Sequence, residues 1–154
     1  MARARVYIGE MSHADPSSAL EHEADLRALL SRVRTVAVVG VSPDPSRDSH
    51  RVAAYLLRST GYDVHLVNPM ADEILGRPVH PTLAALPVVP DLVDVFRRTE
   101  HLPKVLDDAL AVGAGAFWTQ LGLVDEEVAR RASEAGLSVV MDRCLQVEHA
   151  RLLG

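Results

Sequence analysis

Five short apolar runs, spaced roughly 22 to 28 residues apart, restrict what this chain can fold into more than any other feature. They are "TVAVVGV" from Thr35, "DVHLVNP" from Asp63, "DLVDVF" from Asp91, "GAFWTQL" from Gly115 and "LSVVMD" from Leu137. Each has the length of a strand and is rich in β-branched or aromatic residues. The first is apolar on both faces, as strands inside parallel sheets are. Helical patterns fill the gaps. "SHRVAAYLLRST" sets Val52, Tyr55 and Leu56 on one side and stops before Gly61. "HLPKVLDDALAVG" sets Leu102, Val105, Leu106 and Ala109 on one face, with Pro103 in its first turn and Gly113 at its end. "VDEEVARRASEAG" opens on acids, which suit the helix dipole, and closes at Gly136. Further helices are expected from about 18 to 32 and from about Leu145. The proline-rich residues 70–90 read as a connection with one helical turn near Thr82 to Leu86.

Strands alternating with helices at this spacing predict an α/β fold. The expected form is a Rossmann-like, doubly wound, mainly parallel five-stranded sheet with helices on both faces, in strand order 3-2-1-4-5. A chain of 154 residues is most simply one domain. We therefore expect a flexible lead-in over residues 1–17 and a single domain over 18–154. The net charge of −5 argues against nucleic acid and anionic membrane surfaces as partners. No apolar run is long enough to span a bilayer, and the N-terminus has no signal-peptide core. The single cysteine, Cys144, excludes an internal disulfide framework and suits a reducing compartment, so a cytoplasmic protein is expected.

In an open parallel sheet, ligands bind beyond the carboxyl ends of the strands. The chemically distinctive residues of this chain fall there. The first strand leads into Gly40, Ser42, two prolines, Arg47 and Ser49. The second ends at Asn68 and Pro69, the third at Phe96, Arg97 and Arg98, the fourth at Trp118, Gln120 and Gly122, and the fifth at Asp142, Arg143 and Cys144. The first loop has one glycine where a dinucleotide fingerprint has three, and Asn68 stands where an acidic residue holds the ribose, which disfavours NAD. The lysine followed by Ser or Thr of a P-loop is also missing. Phosphate remains a suitable guest. Amides at the start of the following helix face it with the positive dipole end, and Arg47 adds a planar fork for its oxygens.

Taken together, "VVGVSPDPSRDSHRVAAYL", "GYDVHLVNP", "EILGRPVHPTL", "VDVFRR", "WTQLG" and "VVMDRCLQVEH" resemble the small bacterial and archaeal CoA-binding proteins. Those are a stand-alone version of the CoA-binding domain in the α subunit of succinyl-CoA synthetase. The resemblance runs from about Arg34 to Leu152. It implies a site for coenzyme A or an acyl-CoA as the small-molecule ligand. Gly40, Ser42, Arg47 and Ser49 would contact phosphate, and Asn68 and Pro69 would border the adenosine. Phe96, Arg97, Trp118, Gln120 and Gly122 would line the path of the pantetheine arm.

Catalytic machinery is less evident. There is no G-x-S-x-G elbow, and the histidines, His50 included, show no ligand spacing with one another or with the cysteine, so no metal is expected. Cys144, at a helix start beside Arg143, is the one candidate for a reactive thiol; free cysteine is also commonly a small buried residue. The expectation is a binding or regulatory module. The rivals are a thiol-dependent acyl-CoA or CoA-disulfide enzyme using Cys144, and a domain for another nucleotide such as NADP.

Overall fold

The computed structural model of the protein describes residues 6–8 and 16–154, with side chains from His22 onward. The expected lead-in over residues 1–17 lies for the most part outside the described residues. The strands are β1 (Val6–Ile8), β2 (Thr35–Val39), β3 (Asp63–Val67), β4 (Glu73–Ile74), β5 (Arg77–His80), β6 (Leu92–Val95), β7 (Ala116–Thr119) and β8 (Ser138–Met141). The helices are α1 (Pro16–Arg32), α2 (Asp48–Ser59), α3 (Leu102–Val112), α4 (Glu126–Glu134) and α5 (Leu145–Leu152). Among the described residues the strands form one sheet in the order β1-β8-β7-β6-β2-β3-β5-β4, parallel throughout except for the β4–β5 pair.

The α/β class and the helices on both faces agree with the sequence reading, but the sheet is wider and ordered differently. It has eight strands, not five. Two of the additions, β4 and β5, arise within residues 70–90, which read as a connection. The 3-10 turn at Leu83–Ala85 is where a helical turn was expected, with Thr82 Oγ1 accepting from the Ala85 N–H. The order 3-2-1-4-5 is corrected for the same reason. The run from Asp91 becomes β6, which pairs with β2 and β7 instead of lying outside β3. The position outside β3 belongs to β5. With β5 counted as the third strand, the doubly wound order returns. The exposed Arg77 and Pro78 and the half-buried, polar His80 hid β5 from a reading based on apolar runs.

Two cores sandwich the sheet. On one face Val36, Val38, Leu92 and Trp118 meet Leu26, Leu30, Val52, Leu56 and Leu145 of α1, α2 and α5. On the other Ala37, Val93 and Phe117 meet Leu102, Leu106 and Val128 of α3 and α4. The strict alternation along β2, β6 and β7 sorts the residues between the two layers. Pro103 sits in the first turn of α3, where no backbone donor is lost, and Gly113 ends that helix in the left-handed conformation that glycine takes without strain. Asp91 Oδ2 accepts from the Arg34 and Thr35 N–H groups (2.9 and 3.0 Å), tying the start of β6 to that of β2. Among the described residues no helix is long and apolar enough to cross a membrane.

Candidate functional site

The sheet reverses its winding between β2 and β6. From β2 the chain passes through α2 to β3 on one side, while β6 occupies the other and leads into α3 on the opposite face. A crevice opens at such a point because the loops diverge. Gly40 stands at its apex with φ +88°. Its N–H donates to the Val67 carbonyl (3.0 Å), and the Phe96 N–H donates to the Val39 carbonyl (2.9 Å), so three strand ends converge here. A Cβ on Gly40 would lie 2.6 Å from the Phe96 carbonyl oxygen and 3.1 Å from Arg97 Cδ. Only glycine fits.

The loop that follows holds its own shape. The Ser42 N–H donates to Ser49 Oγ (2.9 Å), the Asp44 N–H donates to Ser42 Oγ (3.1 Å), and the Ser46 N–H and hydroxyl both donate to Asp44 Oδ1 (2.9 and 2.8 Å). The Ser46 bonds, chiefly the one from its backbone, hold the Asp44 carboxyl below the usual carboxylate range, and the Arg47 charge nearby acts in the same direction. His50 Nδ1 donates to the Ser42 carbonyl (3.0 Å), which binds this histidine into the loop. From the end of β3, Asn68 Nδ2 donates to the Val41 carbonyl (2.8 Å) and Asn68 Oδ1 accepts the Met70 N–H (2.8 Å). Asn68 therefore acts on the loop and does not face the crevice. Arg47 occupies the N-cap of α2, and its side chain caps nothing.

The crevice has a volume of about 420 Å³ and is open to solvent. Gly40, Ser42, Arg47 and Ser49 form one wall; Phe96, Arg97 and Gln120 form the other. Seven of the residues assigned to the ligand site from the sequence, with Arg98 beside them, thus line one crevice. Among the described residues neither Arg47 nor Arg97 has an ion-pair partner, whereas Asp48, also on the wall, is bound by Arg51. The positive end of α2 and two guanidinium groups without an ion-pair partner give this crevice a local positive character in a chain of net negative charge. A second cavity of about 170 Å³ lies beyond Gly40 and Arg97, toward β3. Pro69 lines it together with Val67, Pro81, Leu83 and Val105. Gly40 and Arg97 border both cavities.

Other expected residues lie elsewhere. Trp118 is fully buried under the sheet surface, and its Nε1 donates to the Arg143 carbonyl (2.8 Å). It is a core residue because β7 alternates, and position 118 faces the layer of α1, α2 and α5. Trp118→Phe is expected to lower the unfolding free energy by about 2 kcal/mol, through lost volume and an unpaired carbonyl; equilibrium urea unfolding would measure it. Gly122 forms a turn at φ +82°, its N–H donating to Asp142 Oδ1 (2.7 Å), and lines neither cavity. Cys144 is the N-cap of α5, half-buried against the core and outside both linings. The neighbouring Arg143 is engaged by Glu148 Oε1 (3.2 Å). Among the described residues no three His, Cys, Asp or Glu side chains converge to hold a metal. Ser46, Asp48, Arg98, Leu121 and Leu123 also line the crevice and were not assigned to the site from the sequence. For the two leucines, their place just past a strand end was the available signal.

Comparison with known proteins accords with this arrangement. Over 128 residues the chain is 41% identical to the uncharacterized protein YneT of Bacillus subtilis, covering 83% of this chain and 94% of that one. The structure of a hypothetical protein from Pyrococcus horikoshii OT3 superposes with a TM-score of 0.83 at 35% identity, covering 100% of both chains. An ADP-forming acetate–CoA ligase of Archaeoglobus fulgidus is 27% identical over 124 residues, which are 73% of this chain but 18% of the ligase. The family model described as the CoA binding domain matches residues 34–150, and the chain belongs to that family.

Proposed function

We propose that the protein binds coenzyme A, or an acyl-CoA, across the crevice at the ends of β2, β6 and β7. The observation that carries this reading is a pair of arginines without an ion-pair partner among the described residues, Arg47 at the start of α2 and Arg97 on the opposite wall, lining one crevice with Gly40 at its apex. Membership of the CoA binding domain family supports it. In this reading the diphosphate lies against Ser42, Arg47, Ser49 and Arg97. The adenosine enters the smaller cavity beside Pro69, and the pantetheine arm runs along Phe96 and Gln120. Arg97, on the border of both cavities, reaches the phosphates from the adenosine side. The protein acts as a binding or regulatory module. The match to the ligase spans too little of that enzyme to bring its whole reaction with it.

Calorimetric titration with CoA, acetyl-CoA, dephospho-CoA and NADP tests the proposal. Micromolar binding of CoA and acetyl-CoA, weakened without the 3′-phosphate, is the expected result; heat with NADP alone would overturn it. A charge-assisted hydrogen bond to phosphate is worth about 1.5–3 kcal/mol, so Arg47→Ala should weaken CoA about ten-fold or more. Arg47→Lys should recover only part of this, because an ammonium lacks the planar fork. Unchanged affinity in Arg47→Ala would assign the phosphates to other groups.

A further inference from the structure

Two polar side chains on neighbouring strand ends are buried with oxygens that have no hydrogen-bond partner. Asp94, in the middle of β6, is 0% exposed, and neither of its carboxyl oxygens has a partner. Gln120, just past β7, is 7% exposed, and its Oε1 has none either. The ladder relates them. Asp94 stands opposite Trp118 and Val95 opposite Thr119, and the Gln120 N–H continues the ladder to the Val95 carbonyl (3.3 Å). Leu92 and Trp118 face the layer of α1, α2 and α5. By alternation Asp94 and Gln120 face it too, as diagonal neighbours on adjacent parallel strands; the strand spacing and rise put their Cα atoms about 8 Å apart, within reach of the two side chains. The third buried orphan, Arg143 Nε, belongs to a guanidinium already tied to Glu148.

An unsatisfied buried polar group costs about 1–3 kcal/mol, and one hydrogen bond from Asp94 to Gln120 would satisfy two of the three orphaned oxygens, one on each side chain. An ionised carboxylate cannot donate to an amide oxygen; a protonated carboxyl can. Burial pushes the Asp94 carboxyl well above the usual carboxylate range, toward the donating form. With the amide oxygen of Gln120 so engaged, its –NH₂ is left to the crevice that Gln120 lines.

We infer that Asp94 donates to Gln120 Oε1 and thereby fixes the Gln120 amide with its N–H toward the crevice, where it selects a ligand arm bearing a carbonyl oxygen. This rests on the CoA reading, in which the pantetheine arm supplies two amide carbonyls. Asp94 is a positioning residue and never meets the ligand; Gln120 is the contact. Together they separate CoA from nucleotides that share its phosphates but lack the arm.

The test is calorimetric titration of the wild type and four variants with CoA and with 3′-phosphoadenosine 5′-diphosphate, the CoA head without its arm. Gln120→Met, close in volume, should weaken CoA about ten-fold and leave the head unchanged. Asp94→Asn keeps a donor and should retain CoA affinity. Asp94→Val removes the donor and should lose as much as Gln120→Met, with no further loss in the double variant. Unchanged CoA affinity in Gln120→Met, equal losses for CoA and head, or wild-type affinity in a folded Asp94→Val each overturns the inference while leaving the CoA reading intact. Should Asp94→Val fail to fold, the Gln120→Met titrations decide. A wild type that binds neither compound overturns the CoA reading and this inference together.

Discussion

Gly40→Ala is expected to lower the unfolding free energy by about 2–5 kcal/mol and to abolish ligand binding in whatever fraction still folds. Two costs add. A side chain at φ +88° sits in the left-handed region, which disfavours L-residues by about 1–2 kcal/mol. The new Cβ would also stand 2.6 Å from the Phe96 carbonyl oxygen, and forced overpacking of this kind costs about 1–3 kcal/mol. Relief requires β2 and β6 to part at the Phe96–Val39 hydrogen bond, which shapes the crevice. Typical domains have about 5–15 kcal/mol in total, so the variant is expected near the limit of folding. Gly61→Ala is the control, since its Cβ meets nothing within 4 Å. Equilibrium urea unfolding of both would decide. A loss below about 1 kcal/mol in Gly40→Ala would mean that the strand ends yield easily.

The second large effect lies in pH. The Asp94 carboxyl is held above its ordinary range by burial, so the folded state keeps a proton that the unfolded chain has released. Where the folded state binds more protons, stability falls as pH rises. The contribution of Asp94 is thus complete below the unfolded pKa of 3.8 and shrinks upward from there until the folded carboxyl ionises. Asp94→Asn removes the titration and keeps the shape. The stability of this variant relative to wild type is expected to grow by about 1.4 kcal/mol per pH unit above roughly pH 5, for as long as the folded carboxyl retains its proton. Urea midpoints from pH 5 to pH 8 measure it. Parallel profiles for the two proteins would show that Asp94 is ionised in the fold.

Much of this architecture is legible in the residues because burial writes itself as composition. The strands β2, β3, β6, β7 and β8 coincide with the five apolar runs, and α2, α3 and α4 stop next to their glycines. Strand β5 was not legible. Arg77 and Pro78 are exposed, and the strand is defined by its partners β3 and β4 more than by what it buries. Missing it displaced β6 in the expected order, although the strand ends, and hence the crevice, were still found. Residues that follow directly on a strand's last position, Gly40, Phe96 and Gln120, line the crevice, and that placement was readable from the strand pattern. Trp118 was misread because an aromatic one residue short of the strand end, inside the strand, alternates into the core. Asn68 faces no ligand cavity because its amide is committed to the Val41 carbonyl, a contact between residues 27 positions apart that no local pattern announces.

That amide, together with the serine and aspartate bonds of the loop from residue 41 to 47, bears on the kinetics of recognition. Freezing a slack backbone costs about 1–2 kcal/mol per residue, so a floppy loop of this length would forfeit about 7 kcal/mol or more of any binding energy. Here the ordering is done during folding, by Ser42, Asp44, Ser46 and Asn68. Under the proposed function, an incoming anion would meet a loop already ordered and would associate without waiting for a conformational step. Discrimination between ligands then shows in how long each one stays.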